Sequence, residues 1–289
     1  HARPRPVETM TPPRFKTVVV DVDAGTHVGT LRLNRPSKSN AIDGDMWTEI
    51  PRAVQWLDAR SDVRVVVVCG AGKNFCAGID VSSPDSLTSQ LGQAVGMKCP
   101  GRKAEALYRH VRGLQDSFTA FERCRKPVLC AVQGACFGGG VDMAVACDVR
   151  YCSADARFCV KEVDLAITAD IGTLQRLPTL VGHGVATEMA LTARVVGAEE
   201  AKAIGLVTEV APDAAALEAA VAERAAALAA KSPLAVQGTK QAMLHARDHT
   251  VGDGLEFVAM MNSARLTSED LSEAMGAKFA RRAPTFSKL

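Results

Sequence analysis

The sequence has 289 residues, 47% of them hydrophobic, and a formal net charge of +2, so it carries enough apolar side chain to bury a large core. A charge balance this mild, with a pI near 8.1 and no dense Lys/Arg block in the body of the chain, gives no ground for nucleic-acid or membrane-surface binding. No apolar run reaches the roughly 18 residues of a bilayer span, and no signal-peptide core is present.

The Pro/Arg-rich residues 1–15 read as a disordered N-terminal arm. β-Branched residues at 16–22 and 28–33, separated by Ala24-Gly25-Thr26, predict a hairpin. After a loop at 34–41, Met46, Ile50, Val54 and Leu57 recur at helical spacing and predict a helix over 43–60, with Asp43 as its N-cap. The continuous apolar run 63–69 predicts a strand buried on both faces. The glycines and lysine that follow match neither G-x-x-x-x-G-K-S/T nor G-x-G-x-x-G, so a nucleotide loop is unsupported. Residues 81–101 lack periodicity and read as a mobile loop over a site. A helix over 103–123 and a strand over 128–132 precede a glycine turn, a helix over 139–146, and short strands at 149–151 and 158–160. Repeated strand-helix crossovers indicate an α/β fold with partly parallel sheets. Beyond Thr173 the composition is helical, with segments at 214–230, 233–245, 251–266 and 268–282. Such an Ala-rich end packs closely, on its own domain or against a neighbouring subunit.

Nine cysteines, an odd number with no C-x-x-C pair, sit mostly in apolar runs, which fits buried, reduced thiols in an intracellular compartment. The histidines form no metal-ligand pattern such as H-E-x-x-H, and G-x-S-x-G is absent. Neither a metal centre nor a hydrolase serine is supported.

The chemistry concentrates at 134–176. A Gly138-Gly139-Gly140 turn leads into a helix whose first N–H groups lack internal partners and favour oxygen that gains negative charge. A second glycine turn, Phe75-Cys76-Ala77-Gly78, follows another buried strand. Two such turns suit an oxyanion hole for a thioester carbonyl. Asp142 in the first helical turn, Glu162 after a short strand, and Asp170 within Leu165-Ala166-Ile167-Thr168-Ala169-Asp170-Ile171-Gly172 are candidate proton-transfer groups. Each also has a structural reading: a dipole charge for Asp142, half of an ion pair with Lys161 for Glu162, a helix cap for Asp170.

In order, NRPSKSNA (34–41), NFCAGID (74–80), GACFGGGVDMAVACD (134–148) and ADIGTLQRLP (169–178) resemble the enoyl-CoA hydratase/isomerase, or crotonase, superfamily. The resemblance implies a ClpP-like spiral of repeated ββα units over 16–210, holding an acyl-CoA site, and a helical C-terminal region over 211–289 for packing and oligomerisation. It further implies Ala77 and Gly139 as oxyanion-hole donors, acyl-CoA contacts along Ala77, Gly78, Ile79, Asp80 and Val81, and CoA contacts at Lys38 and Ser39. Within the superfamily, GGGVD, VKEVD and ADIGTLQRLP together resemble the Δ3,5-Δ2,4-dienoyl-CoA isomerases, which convert 3,5-dienoyl-CoA to 2,4-dienoyl-CoA in unsaturated fatty-acid β-oxidation. On that resemblance Glu162 and Asp170 move a proton between C2 and C6, and Asp142 sets the charge state of the pair. No separate cofactor is implied, since CoA is part of the substrate, and trimers or hexamers are. Ser287-Lys288-Leu289 has the form of a peroxisomal import address read by its receptor; a mitochondrial location is the alternative. An enoyl-CoA hydratase working through Asp142 and Glu162, or a non-catalytic or RNA-binding member of the same fold, are the competing readings.

Overall fold

The computed structural model describes residues 13–82 and 96–289. The expected arm at 1–15 therefore falls largely outside the described residues, as does most of the expected loop at 81–101.

β-Branched runs build the larger sheet. β1 (Val18–Asp23) and β2 (Val28–Leu33) form the expected antiparallel hairpin. β3 (Val65–Gly70), β4 (Val128–Val132), β6 (Val149–Ser153) and β9 (Glu209–Ala211) add in parallel, giving the order β1-β2-β3-β4-β6-β9. A smaller sheet pairs β5 (Ala135–Phe137) with β7 (Arg157–Cys159) and β8 (Val196–Gly197). The chain passes from a strand of the large sheet to one of the small sheet and then into a helix: β4, β5, helix Gly139–Ala146, then β6, β7 and the helices Thr173–Val181 and His183–Thr192. This is the expected repetition of ββα units.

β3 explains why its sequence is apolar throughout. Val66 and Val68 enter the main core beside Phe75, Phe118 and Met143, whereas Val65 and Val67 face Leu217, Val221, Ala225 and Ala229 of helix Ala214–Ala229. A parallel strand covered on both faces has no polar position to offer. The small alanines of that helix let it lie close on the sheet. Asp43 caps helix Gly44–Ala59 by accepting from Met46 N, as expected.

Helix Pro100–Arg123 lies against Gly44–Ala59, with Ser117 Oγ donating to Trp47 O at 2.9 Å. Helix Pro233–Asp248 is pinned by a buried cation: Lys240 Nζ donates to Phe121 O at 2.8 Å and Lys126 O at 3.0 Å, and lies 2.7 Å from Asp148 Oδ2. The later helices Val251–Arg265 and Glu269–Phe279 leave Val251, Leu255, Met260 and Phe279 exposed. Among the described residues no helix is long and apolar enough to cross a membrane.

Candidate functional site

Two extended segments of few residues make the floor. Residues 76–80 run between the 39–42 segment on one edge and β5 on the other, held by single parallel bridges, Ile42 with Ile79 and Cys76 with Cys136. A buried asparagine, Asn40, and a half-buried one, Asn74, lock this arrangement. Asn40 Nδ2 donates to Ala71 O at 2.9 Å and Asn74 O at 2.8 Å, and Asn74 Oδ1 accepts from Ala135 N at 2.9 Å. Their side chains stand in for the regular ladder that so short a pairing lacks.

The direction of each amide follows from these bonds. Ala77 N donates to Ser39 O at 3.0 Å, so the expected oxyanion donor at Ala77 is corrected: that N–H is already engaged in joining the two segments. Ile42 N donates to Gly78 O at 2.8 Å, and Asp80 N donates to Ile42 O at 2.9 Å. These bonds flank Ile79 on one edge, so the Ile79 N–H points to the opposite edge, where the glycine turn lies. Gly78 makes the approach possible. Its φ is +101°, and a Cβ there would sit 3.1 Å from Phe137 O, with Gly139 N 4.0 Å away. Gly139 is the first residue of helix Gly139–Ala146, and its buried N–H has no acceptor among the described residues. The amides of Ile79 and Gly139 are thus two donors that face each other across this junction and have no acceptor among the described residues.

Asp142 is fully buried one turn into the same helix. Its Oδ1 accepts from Thr173 N at 2.7 Å, and its Oδ2 has no hydrogen-bond partner among the described residues. Burial pushes its pKa up to about 6 against the Thr173 bond and the nearby positive charge of Arg176. Glu162 opens a 3-10 turn, Glu162–Leu165, after β7. Its Oε1 faces the glycine turn, 3.4 Å from where a Cβ on Gly138 would stand, and φ of +48° at Gly138 adds a second reason for glycine there. Glu162 Oε2 is buried and has no partner among the described residues, and Lys161 pairs with Asp164 instead, so the ion-pair reading of Glu162 fails. Burial, then the negative charges of Asp142 and Asp170, push Glu162 up to about 7.

Asp170 behaves differently from what its apolar neighbours suggest. Ala169 and Ile171 are buried, but Asp170 between them is exposed. It does not cap helix Thr173–Val181, whose N-cap is Gly172 without a side-chain bond. Partial desolvation still raises its pKa, against a lowering pull from His110. Asp170 raises the pKa of both Asp142 and Glu162, so the three carboxyls share one electrostatic neighbourhood.

The remaining expected contacts divide. Asp80 is buried in a salt bridge with Arg35 at 2.8 Å and accepts from Ser82 Oγ at 2.7 Å, which hold its carboxyl down at about 2. These bonds pin the loop. Ser39 gives its carbonyl to Ala77 and its Oγ accepts from Asn74 Nδ2 at 3.1 Å. Lys38 and Val81 are exposed at the rim. The sequence reading did not single out Thr173, which holds Asp142, or the free amide of Ile79.

The profile of the enoyl-CoA hydratase/isomerase family matches residues 23–288. The chain is 47% identical over 281 residues to a peroxisomal Delta(3,5)-Delta(2,4)-dienoyl-CoA isomerase from Arabidopsis thaliana, covering 97% of this chain and all of that protein. It is 42% identical over 270 residues to the mitochondrial Delta(3,5)-Delta(2,4)-dienoyl-CoA isomerase from Homo sapiens, covering 92% of this chain and 81% of that one. Among solved structures it is similar to an enoyl-CoA hydratase from Bacillus anthracis, with a TM-score of 0.83, 30% identity, and coverage of 94% and 99%.

Proposed function

The chain belongs to the enoyl-CoA hydratase/isomerase family, and from that premise we propose that it isomerises 3,5-dienoyl-CoA to 2,4-dienoyl-CoA with Glu162 and Asp170 as its two proton-transfer groups. One carboxylate removes a C2 proton, and the electron pair spreads from C2 through C6 and onto the thioester oxygen. The other group delivers a proton to C6, which leaves double bonds at C2–C3 and C4–C5. The Ile79 and Gly139 N–H groups hold the oxygen while it is charged, each contributing roughly 3 to 4 kcal/mol in the transition state. The observation that carries the reading is the pair of buried carboxyls beside the glycine turn, Asp142 and Glu162, each with an oxygen unpartnered among the described residues, with Asp170 near enough for its charge to raise both. A proton donor and acceptor that work near neutral pH need such raised values. Asp142, with one oxygen tied to Thr173 N, keeps Glu162 raised rather than touching substrate.

The assay is ultraviolet: 3,5-dienoyl-CoA should gain 2,4-dienoyl absorbance, whereas a hydratase would consume the enoyl absorbance of crotonyl-CoA. Absence of dienoyl turnover by folded protein would overturn the proposal. Replacing Ile79 by Pro removes its N–H and should lower kcat about 10²- to 10³-fold; an unchanged kcat would return the donor role to another amide.

The exposed Val251, Leu255, Met260 and Phe279 of the last helices support a homotrimer or homohexamer built through this region, read by sedimentation. A peroxisomal location is supported by the peroxisomal relative and by the exposed Ser287-Lys288-Leu289, a tripeptide suited to an import receptor. Mitochondrial relatives keep the mitochondrial matrix as the alternative. A fluorescent fusion ending in this tripeptide, with and without Leu289, decides between them.

A further inference from the structure

Asp170 presents a difficulty as a proton-transfer group, because no side chain holds its carboxylate. Among the described residues no other side chain donates to or pairs with its oxygens, and the hydrogen bond the carboxylate does accept comes from its own backbone N–H. What fixes it is its backbone. Ala169 and Ile171 are anchored in the core on either side, and the Asp170 carbonyl accepts from Gln115 Nε2 at 2.6 Å.

Gln115 belongs to an organised face. Residues 115, 119 and 122 of helix Pro100–Arg123 are spaced four and three apart and lie on one side of it. All three reach the stretch that runs from Asp170 to Arg176. Arg176 Nη2 donates to Thr119 Oγ1 at 3.1 Å and to Glu122 Oε2 at 2.7 Å. One turn before Gln115, Arg112 Nη1 donates to Gln115 Oε1 at 2.7 Å. That bond decides which end of the amide points inward: with the oxygen taken by Arg112, the NH₂ group is left for Asp170. His110, on the same helix, lies close enough to Asp170 for their charges to interact, and its buried Nε2 has no partner among the described residues. The helix therefore supplies a latch on Asp170 and a separate ion-pair anchor on Arg176, while Thr173 between them holds Asp142.

We propose that Gln115, oriented by Arg112, is a positioning residue for Asp170: it latches the Asp170 carbonyl so that the carboxyl is presented to the substrate chain at a fixed place. The proposal rests on Asp170 being one of the two proton-transfer groups. A displaced acid or base loses rate steeply, about 10²-fold for a misplacement of 1 Å, while a half-exposed hydrogen bond at the rim contributes little to stability. Loss of the latch should therefore register in kcat and hardly at all in folding.

The test uses Gln115→Met, which keeps length and removes the donor, and Gln115→His, which restores a neutral donor of similar reach. On 3,5-dienoyl-CoA, Gln115→Met should lower kcat about 10- to 100-fold with KM within about twofold, and Tm should stay within about 2 °C of wild type. Gln115→His should recover most of the loss. Combined with Asp170→Asn, Gln115→Met should add no further loss, because it acts through the group already removed. A wild-type kcat for Gln115→Met, or a full multiplicative loss on top of Asp170→Asn, would overturn the proposal. A fully active Asp170→Asn protein would instead remove the premise about Asp170, and the latch with it.

Discussion

Glu162→Gln should separate what the site does from what it costs the fold. In the native protein the carboxyl is pushed up to about 7 from an ordinary 4.5, first by burial and then by Asp142 and Asp170. At about 1.4 kcal/mol for each tenfold change in the ionisation constant, the ionised side chain destabilises the native state by about 3 kcal/mol. Because the folded value is raised, the native state binds more protons than the unfolded chain between pH 4.5 and 7. Stability therefore falls as pH rises through that window, and the cost is complete above pH 7. Gln cannot ionise, so the variant escapes this loss. With an unfolding entropy of about 2.1 cal/mol/K per residue over 289 residues, about 3 kcal/mol corresponds to about 5 °C in Tm. The buried amide leaves a donor unmatched and lowers Tm by an amount independent of pH. The quantity to read is therefore the change in Tm difference, variant minus wild type, between pH 5 and pH 8, followed by circular dichroism. It should move in favour of the variant by several degrees, while dienoyl isomerisation is lost. A difference that is the same at both pH values would refute a buried, raised Glu162.

Asp170→Asn should lower isomerisation about 10²- to 10⁴-fold in the ultraviolet assay, and near-normal turnover would remove it from the mechanism. Asp80, held at about 2 first by its bond from Ser82 and then by Arg35, stabilises the fold above its ordinary 3.8 and loses that contribution as pH falls towards 2. Asp80→Asn should accordingly flatten the acid limb of stability between pH 4 and 2, measured by acid titration of the circular dichroism signal, without shifting stability's dependence near neutrality. Of the nine cysteines, a thiol reagent applied to native protein should modify Cys99 quickly and Cys69 slowly. The seven buried thiols, among them Cys76 and Cys124 pushed up by burial to about 12, should react only after unfolding.

The elements that the sequence disclosed are those whose pattern follows from burial. Residues 128–132 and 139–146 were legible because every position but Asp142 is apolar or small, and the hairpin because its β-branched runs flank a turn. Three strands were not. Ala135–Phe137, Val196–Gly197 and Glu209–Ala211 have two or three residues each, too few for any periodicity, and they exist because partners are supplied from elsewhere. Asp142 stood out as a charge among apolar side chains, and Glu162 as a charge after a short apolar strand. The donor at Ile79 did not, because a side chain says nothing about where its own amide points; that depends on the register between 39–42 and 76–80. Asp170 was found for an incomplete reason, since alternation between buried Ala169 and Ile171 turns it outward. Gln115 gave no signal at all, because its partner is a backbone oxygen 55 residues away.

The asparagine lock beneath the two glycine turns also bears on how the protein reaches its working state. Asn40 grips backbone 31 and 34 residues ahead of it, and Asn74 grips Ala135, 61 residues on. Each contact closes a long loop, so its entropy is lost before any enthalpy is recovered. Contacts of this span form late in folding, after local helices and the hairpin are in place. The amides of Ile79 and Gly139 acquire their mutual placement only at that stage, so a collapsed intermediate with most of its helical signal lacks the proposed oxyanion site. Enzyme activity regained during refolding should therefore lag far-ultraviolet ellipticity, and the lag measures the closing of these loops.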